Sequence, residues 1–164
     1  MLSTPSRRPD GAQNQHLKEA QRLWPAYAAA SWSLVFGVFH AIWAMGFYIG
    51  LDAEAAKAFQ TTWKLVFDVV IVGVCVLGVL LALAFVQPWG RRLPQRGVNF
   101  VGWCAVGLLL LRSVGSVVQM IYFVITGRSA QILHDPMALW ELWFYLGAAL
   151  FFVSFQQFKR NIRS

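Results

Sequence analysis

The sequence predicts an all-α fold: a four-helix transmembrane bundle with both termini cytoplasmic and a short interfacial helix ahead of the first span. Three observations predict it. Of 164 residues, 58% carry apolar side chains and only 13% are charged; with a mean hydropathy of +0.54, too little polar surface remains for a water-soluble domain of this size. Four stretches are apolar over the ~20 residues that a helix needs to cross a bilayer, and together they consume the chain, leaving no separate soluble domain. Basic residues gather on alternate connections, as topology requires.

Each element follows in order. Residues 1–15 are rich in Ser, Pro, Gln and Gly and read as disordered, whereas 16–24 place Leu17, Ala20, Leu23 and Trp24 at helical spacing beside Lys18 and Arg22, a short interfacial helix. This stretch lacks the basic start, short apolar run and small-residue cleavage site of a secretory signal, so the first span is expected to stay on the protein. A membrane domain over 25–158 then holds spans at 25–51, 63–86, 98–126 and 137–158, and 159–164 form a basic tail. Pro25 opens the first span, Gln87-Pro88-Trp89-Gly90 closes the second, Gly127 closes the third and Asp135-Pro136 starts the fourth. Trp24, Trp63, Trp89, Trp140 and Trp143 stand near span ends, where indoles suit headgroup depth. The apolar runs do not alternate as barrel strands would.

Orientation comes from Lys and Arg. Arg7, Arg8, Lys18, Arg22, Arg91, Arg92, Arg96, Lys159, Arg160 and Arg163 lie on one side, against Lys57, Lys64 and Arg128 on the other. The richer side is cytoplasmic by the positive-inside rule. The net charge of +7 therefore serves topology and contact with anionic lipid, and nucleic-acid binding is not expected.

Composition also excludes several chemistries. Cys75 and Cys104 sit inside apolar runs with no CxxC pair, which makes them small buried hydrophobes and not a redox site or a disulfide. Haem held between helices needs paired axial ligands, yet of three histidines His16 lies in the tail, His134 in a connection and only His40 in a span. With no HExxH, carboxylate cluster or phosphate-binding glycine loop, neither a metal nor any other cofactor is expected.

What stands out is polarity inside the spans: His40, Asp68, Arg112, Gln119, Glu141 and Ser116. An ionisable residue at mid-membrane costs roughly 2.5–3.5 kcal/mol, so it faces protein or water and finds a partner. Arg112, Ser116 and Gln119 recur on one stripe of the third span, and His40 shares a stripe with Phe36, Trp43 and Phe47. These spacings predict a polar, aromatic-walled cleft open outward, with Arg112, His40, Glu141, Gln119, Ser116 and Trp43 as ligand-binding residues. Arg112 has no charged neighbour a turn away, so its expected partner is Glu141, with Asp68 as substitute. Plainer readings stand beside this one. Asp68 can pair with Lys64 and, like Glu141, favours a helix N-terminus; His40 can be a packing residue, and Arg112 half of a structural ion pair.

Small residues Ser33, Gly37 and Ala41, together with Gly46 and Gly50, suit close helix approach on the first span. Trp32, Gly37, His40 and Gly46 are echoed loosely by Trp103, Gly107, Arg112 and Gly115 of the third span, as in a duplicated hairpin.

The motifs FHAIWAMG at 39–46, WGRRLP at 89–94, LLLRSVG at 109–115 and LWELWFYLGAALFF at 139–152 together resemble an uncharacterised family of small bacterial four-helix integral membrane proteins. The resemblance implies a bacterial inner membrane and this topology, and it lends no activity. His40, Arg112 and Glu141 are the polar intramembrane positions within those motifs.

Three functions compete. The first is a binding protein of the plasma membrane that holds an anionic or amphipathic ligand, or a partner helix, at Arg112 with His40 and Glu141. The second is a small proton-coupled transporter, which would dimerise to enclose a path. The third is an intramembrane enzyme on a lipophilic substrate, with Glu141 or Asp68 as acid and His40 as base. Expected partners are membrane lipid, a hydrophobic or anionic small molecule, and a second copy or larger membrane complex.

Overall fold

The structure, a computed structural model, describes residues 10–51, 56–57, 60–127 and 137–163. Four helices account for nearly all of them: α1 (Asp10–Ala44), α2 (Thr62–Ala84), α3 (Gln95–Ile125) and α4 (Met137–Arg163), with a 3-10 turn at Pro88–Arg92 between α2 and α3. No strand occurs among the described residues. Three of the helical stretches, Leu23–Ala44, Thr62–Ala84 and Gln95–Ile125, are long and apolar enough to cross a membrane.

The first helix differs from expectation at both ends. Residues 16–24 are helical but continue without a break into the first span, and the helix already includes 10–15; residues 1–9 lie outside the described set. Pro25 sits inside this helix, where it removes one backbone donor; long apolar helices tolerate that when neighbours pack around the gap, and Pro25 is fully buried. At the other end the helix stops at Ala44 instead of near residue 51. Gly46 and Gly50 take φ of +90° and +80°, a left-handed geometry cheap only for glycine, so they turn the chain back instead of packing helices. Trp43 Nε1 donates to the Ile49 carbonyl at 3.0 Å and holds that turn shut.

Small residues decide which helices touch. α1 lies along α2, because a side chain at Gly37 would come within 2.8 Å of Cys75 Cβ and one at Gly78 within 2.8 Å of Ser33 Oγ. Ala26, Ala29 and Ala82 extend this close approach and are almost wholly buried. α4 crosses α1 where Gly147 lies flat against the Trp32 indole, and it meets α3 where Gly102 receives the Phe155 ring. α2 and α3 scarcely meet despite their short connection. The core draws on all four helices and is centred on Trp32, Phe85, Phe151, Phe155 and Phe158. α3, packed on one side only, leaves Cys104 exposed, whereas Cys75 is buried under Gly37; the expectation of two buried cysteines holds for one.

Candidate functional site

Two of the polar residues meet at the seam of α1 and α2. His40 Nδ1 lies 2.7 Å from Asp68 Oδ1, and both residues are buried, at 5% and 1% exposure. The bond fixes the imidazole's orientation, with its other ring nitrogen turned away from Asp68. The close approach at Gly37, one turn along α1 from His40, brings the imidazole within reach of α2. Rings surround it: Phe36 at 4.6 Å, Trp43 at 5.0 Å and Phe67 at 6.2 Å between centroids. Such walls exclude water and strengthen the bond they enclose. Lys64, the plainer partner proposed for Asp68, has its ammonium 5.8 Å from the centre of the Phe67 ring.

Above the pair, at the α1–α2 connection, lies a cleft of about 260 Å³ lined by Trp43, Met45, Tyr48, Gln60, Thr61 and Leu65. Trp43 belongs to both features: its indole forms part of the cleft and packs edge-on against His40. Because α1 ends at Ala44, His40 is only about 6 Å from the helix end at 1.5 Å per residue, shallower than a span running to residue 51 implied.

Arg112 is placed on the other hairpin. Its guanidinium carbon stands 4.6 Å from the centre of the Phe144 ring, a cation–π contact. Phe144 in turn packs edge-on against Phe36 at 5.3 Å, and Phe36 against His40 at 4.6 Å. One continuous row therefore runs Arg112, Phe144, Phe36, His40, Asp68, and each of the four helices contributes to it. Glu141, Gln119 and Ser116 lie on α4 and α3, but their side chains fall outside the described residues, and so does the expected Arg112–Glu141 pair.

Several participants were not singled out from sequence. Trp143, expected from sequence only as an indole near a span end, stacks on Trp32 at 5.8 Å and accepts the Trp32 Nε1 hydrogen bond on its carbonyl at 2.8 Å. Its own Nε1 is buried with no hydrogen-bond partner among the described residues. Tyr145 donates its hydroxyl proton to the Ser113 carbonyl at 2.9 Å, tying α4 to α3 one residue beyond Arg112. The available signal was Gly147 amid large aromatics, since a glycine there marks the place where a ring from another helix lies flat. Phe47, assigned to the His40 stripe, falls beyond the helix end and is exposed.

Chemically, the arrangement offers an oriented imidazole, a guanidinium and an aromatic wall between them. His40 and Asp68 are bonded to each other, so they form a base with its orienting acid and not an acid and base on opposite sides of a substrate. Among the described residues no three His, Cys, Asp or Glu side chains gather as a metal site would need.

The family described as protein of unknown function (DUF3995) matches residues 33–151, a stretch that contains every member of the row. The chain belongs to that family. No curated protein and no solved structure matches it.

Proposed function

We propose that this member of the family is a four-span integral protein of the plasma membrane, both termini cytoplasmic, that binds an amphipathic ligand with an anionic group along the row from Arg112 to Asp68. The observation that carries this reading is the row itself, in which a guanidinium and an imidazole–carboxylate pair are joined by aromatic rings and every helix contributes a member. A planar guanidinium suits bidentate recognition of a carboxylate or phosphate. Phe144, half-buried beside the guanidinium, offers apolar surface for the ligand's body, and the buried Trp143 Nε1 offers a donor for a second acceptor. Glu141, Gln119 and Ser116 belong to the same proposal as further polar contacts. α4, with 27 residues, is the fourth span, and the asymmetry of basic residues supports the orientation.

The test is mass spectrometry of the protein purified in mild detergent, comparing wild type with Arg112→Gln. A co-purified amphipathic anion that disappears in the variant while the unfolding temperature holds supports the reading; a wild-type protein carrying no such molecule overturns it. Orientation is tested by thiol labelling: cysteine in place of Arg91 should resist an impermeant reagent applied outside, and one in place of Ser129 should react.

A proton-coupled transporter is the second reading, favoured by the His40–Asp68 bond. An imidazole held against a carboxylate is the kind of pair through which proton-coupled carriers move a proton. Proteoliposomes should then take up protons with solute, and His40→Gln should stop both.

A further inference from the structure

At the end of the bundle away from the His40–Asp68 pair, the sparse contact between α2 and α3 leaves a second concavity. It is an open slot of about 410 Å³, walled by Leu77, Leu80 and Ala84 of α2, by Gly97 and Val101 of α3 and by Trp89 of the connecting turn. Most of these walls are exposed in the single chain, Leu77 at 65% and Leu80 at 49%. The same connection carries Arg91 and Arg92, and the first turn of α3 adds Arg96, all three exposed. Within nine residues of sequence the chain therefore supplies both part of the wall of an apolar slot and three guanidinium groups.

We propose that this slot is a binding site for one anionic phospholipid, its acyl chain lying between α2 and α3 and its phosphate at Arg91, Arg92 and Arg96. Each feature selects against an alternative. A zwitterionic lipid fills the slot but presents no net charge to three arginines. A free phosphate meets the arginines and leaves the apolar walls open. An apolar partner helix covers the walls and desolvates cations it cannot pair. Basic pockets between spans on the cytoplasmic side are the setting in which anionic headgroups are recognised. The site rests on the membrane reading above and is independent of the row from Arg112 to Asp68. Its consequence is architectural: a lipid chain would supply the packing that the α2–α3 seam lacks.

The experiment reconstitutes the full chain into nanodiscs of equal phosphatidylglycerol and phosphatidylcholine and counts the lipids retained on the protein by native mass spectrometry. Wild type should enrich phosphatidylglycerol about tenfold, and the enrichment should fall as salt is raised. The triple change Arg91→Gln, Arg92→Gln, Arg96→Gln should abolish it. So should Gly97→Phe, whose added Cβ meets nothing within 4 Å and whose ring would stand at the wall of the slot that Gly97 lines. Equal retention of both lipids in wild type overturns the site. Enrichment that survives Gly97→Phe also overturns it, since charge alone would then suffice; so does a co-purified protein in place of lipid. A chain that incorporates but shows no preference refutes this site alone, whereas one that fails to incorporate refutes the membrane reading with it.

Discussion

The α1–α2 and α3–α4 hairpins carry echoing residues and treat them oppositely. Gly37 on α1 is pressed against Cys75, whereas Gly107 and Gly115 on α3 meet nothing within 4 Å. Trp32 is 7% exposed and its counterpart Trp103 50%. His40 is enclosed with a carboxylate 2.7 Å away, and Arg112 lies exposed on the face of Phe144. The loose sequence echo is thus not an echo in packing. The contrast teaches how a chain with few polar residues pays for two of them: a titratable pair is walled off between closely packed helices, and a permanent cation is laid on an aromatic quadrupole where its head stays reachable. The first arrangement is costly to break. The second keeps its charge at the exposed surface of the bundle.

The largest expected effect falls on the closed hairpin. His40→Ala leaves the Asp68 carboxylate buried without its partner, and removing one member of such a pair costs about 3–5 kcal/mol. Replacing both, His40→Leu with Asp68→Leu, should recover most of that loss. Thermal unfolding in detergent measures both variants, and equal destabilisation by the single and double changes would falsify the claim that the two residues act as a pair.

A smaller effect tests the seam between hairpins. Gly147→Ala drives a methyl into the Trp32 ring, an overpacking worth about 1–3 kcal/mol, while Gly107→Ala, with open space around it, should be neutral or slightly stabilising because alanine favours helix. If the two alanines behave alike, the asymmetry of the hairpins is not energetic.

Tyr145→Phe comes next. It deletes the hydroxyl that bonds the Ser113 carbonyl and should cost about 1 kcal/mol, seen as faster amide exchange on α3 around Ser113 with α1 unchanged. Exchange spread evenly over all four helices would show that this bond is not local to the α3–α4 pair.

Arg112→Gln removes, among its contacts, the exposed cation–π contact with Phe144, which by itself amounts to about 0.5–1 kcal/mol, and should cost less than His40→Ala. A fall in unfolding temperature as large as that of His40→Ala would place Arg112 in the structural frame and erase the distinction between the hairpins.

Much of the fold was legible because the signal is compositional. Runs of Val, Leu, Ile and Phe as long as 62–84 and 95–125 dictate helices through backbone hydrogen bonding alone, since an apolar medium offers no other partner. The start of α2 and the turn at Pro88 fell where Pro, Gly and polar residues stand. The end of α1 did not, because Met45 to Leu51 reads as apolar as the helix before it; only the positive φ of Gly46 and the Trp43–Ile49 bond stop it there. The site was legible as a set of residues but not as a set of pairs. His40 and Asp68 were both visible as misplaced polar groups. That they bond to each other depends on Gly37 and Cys75 letting two helices close, a distance that no single-helix pattern contains.

The sequence by itself determined that the chain is helical, built around spans apolar enough to cross a membrane, and that a handful of polar side chains must be accommodated along them, because transfer free energy is a property of each residue type and sums along the chain. Tertiary structure alone decided which polar group met which, that Trp143 turned inward onto Trp32, and that α2 and α3, neighbours in sequence, stayed apart. Helix association in apolar surroundings has no hydrophobic drive and is settled by the fit of small residues against large ones. That fit exists only between helices, so it could be read only once they were packed.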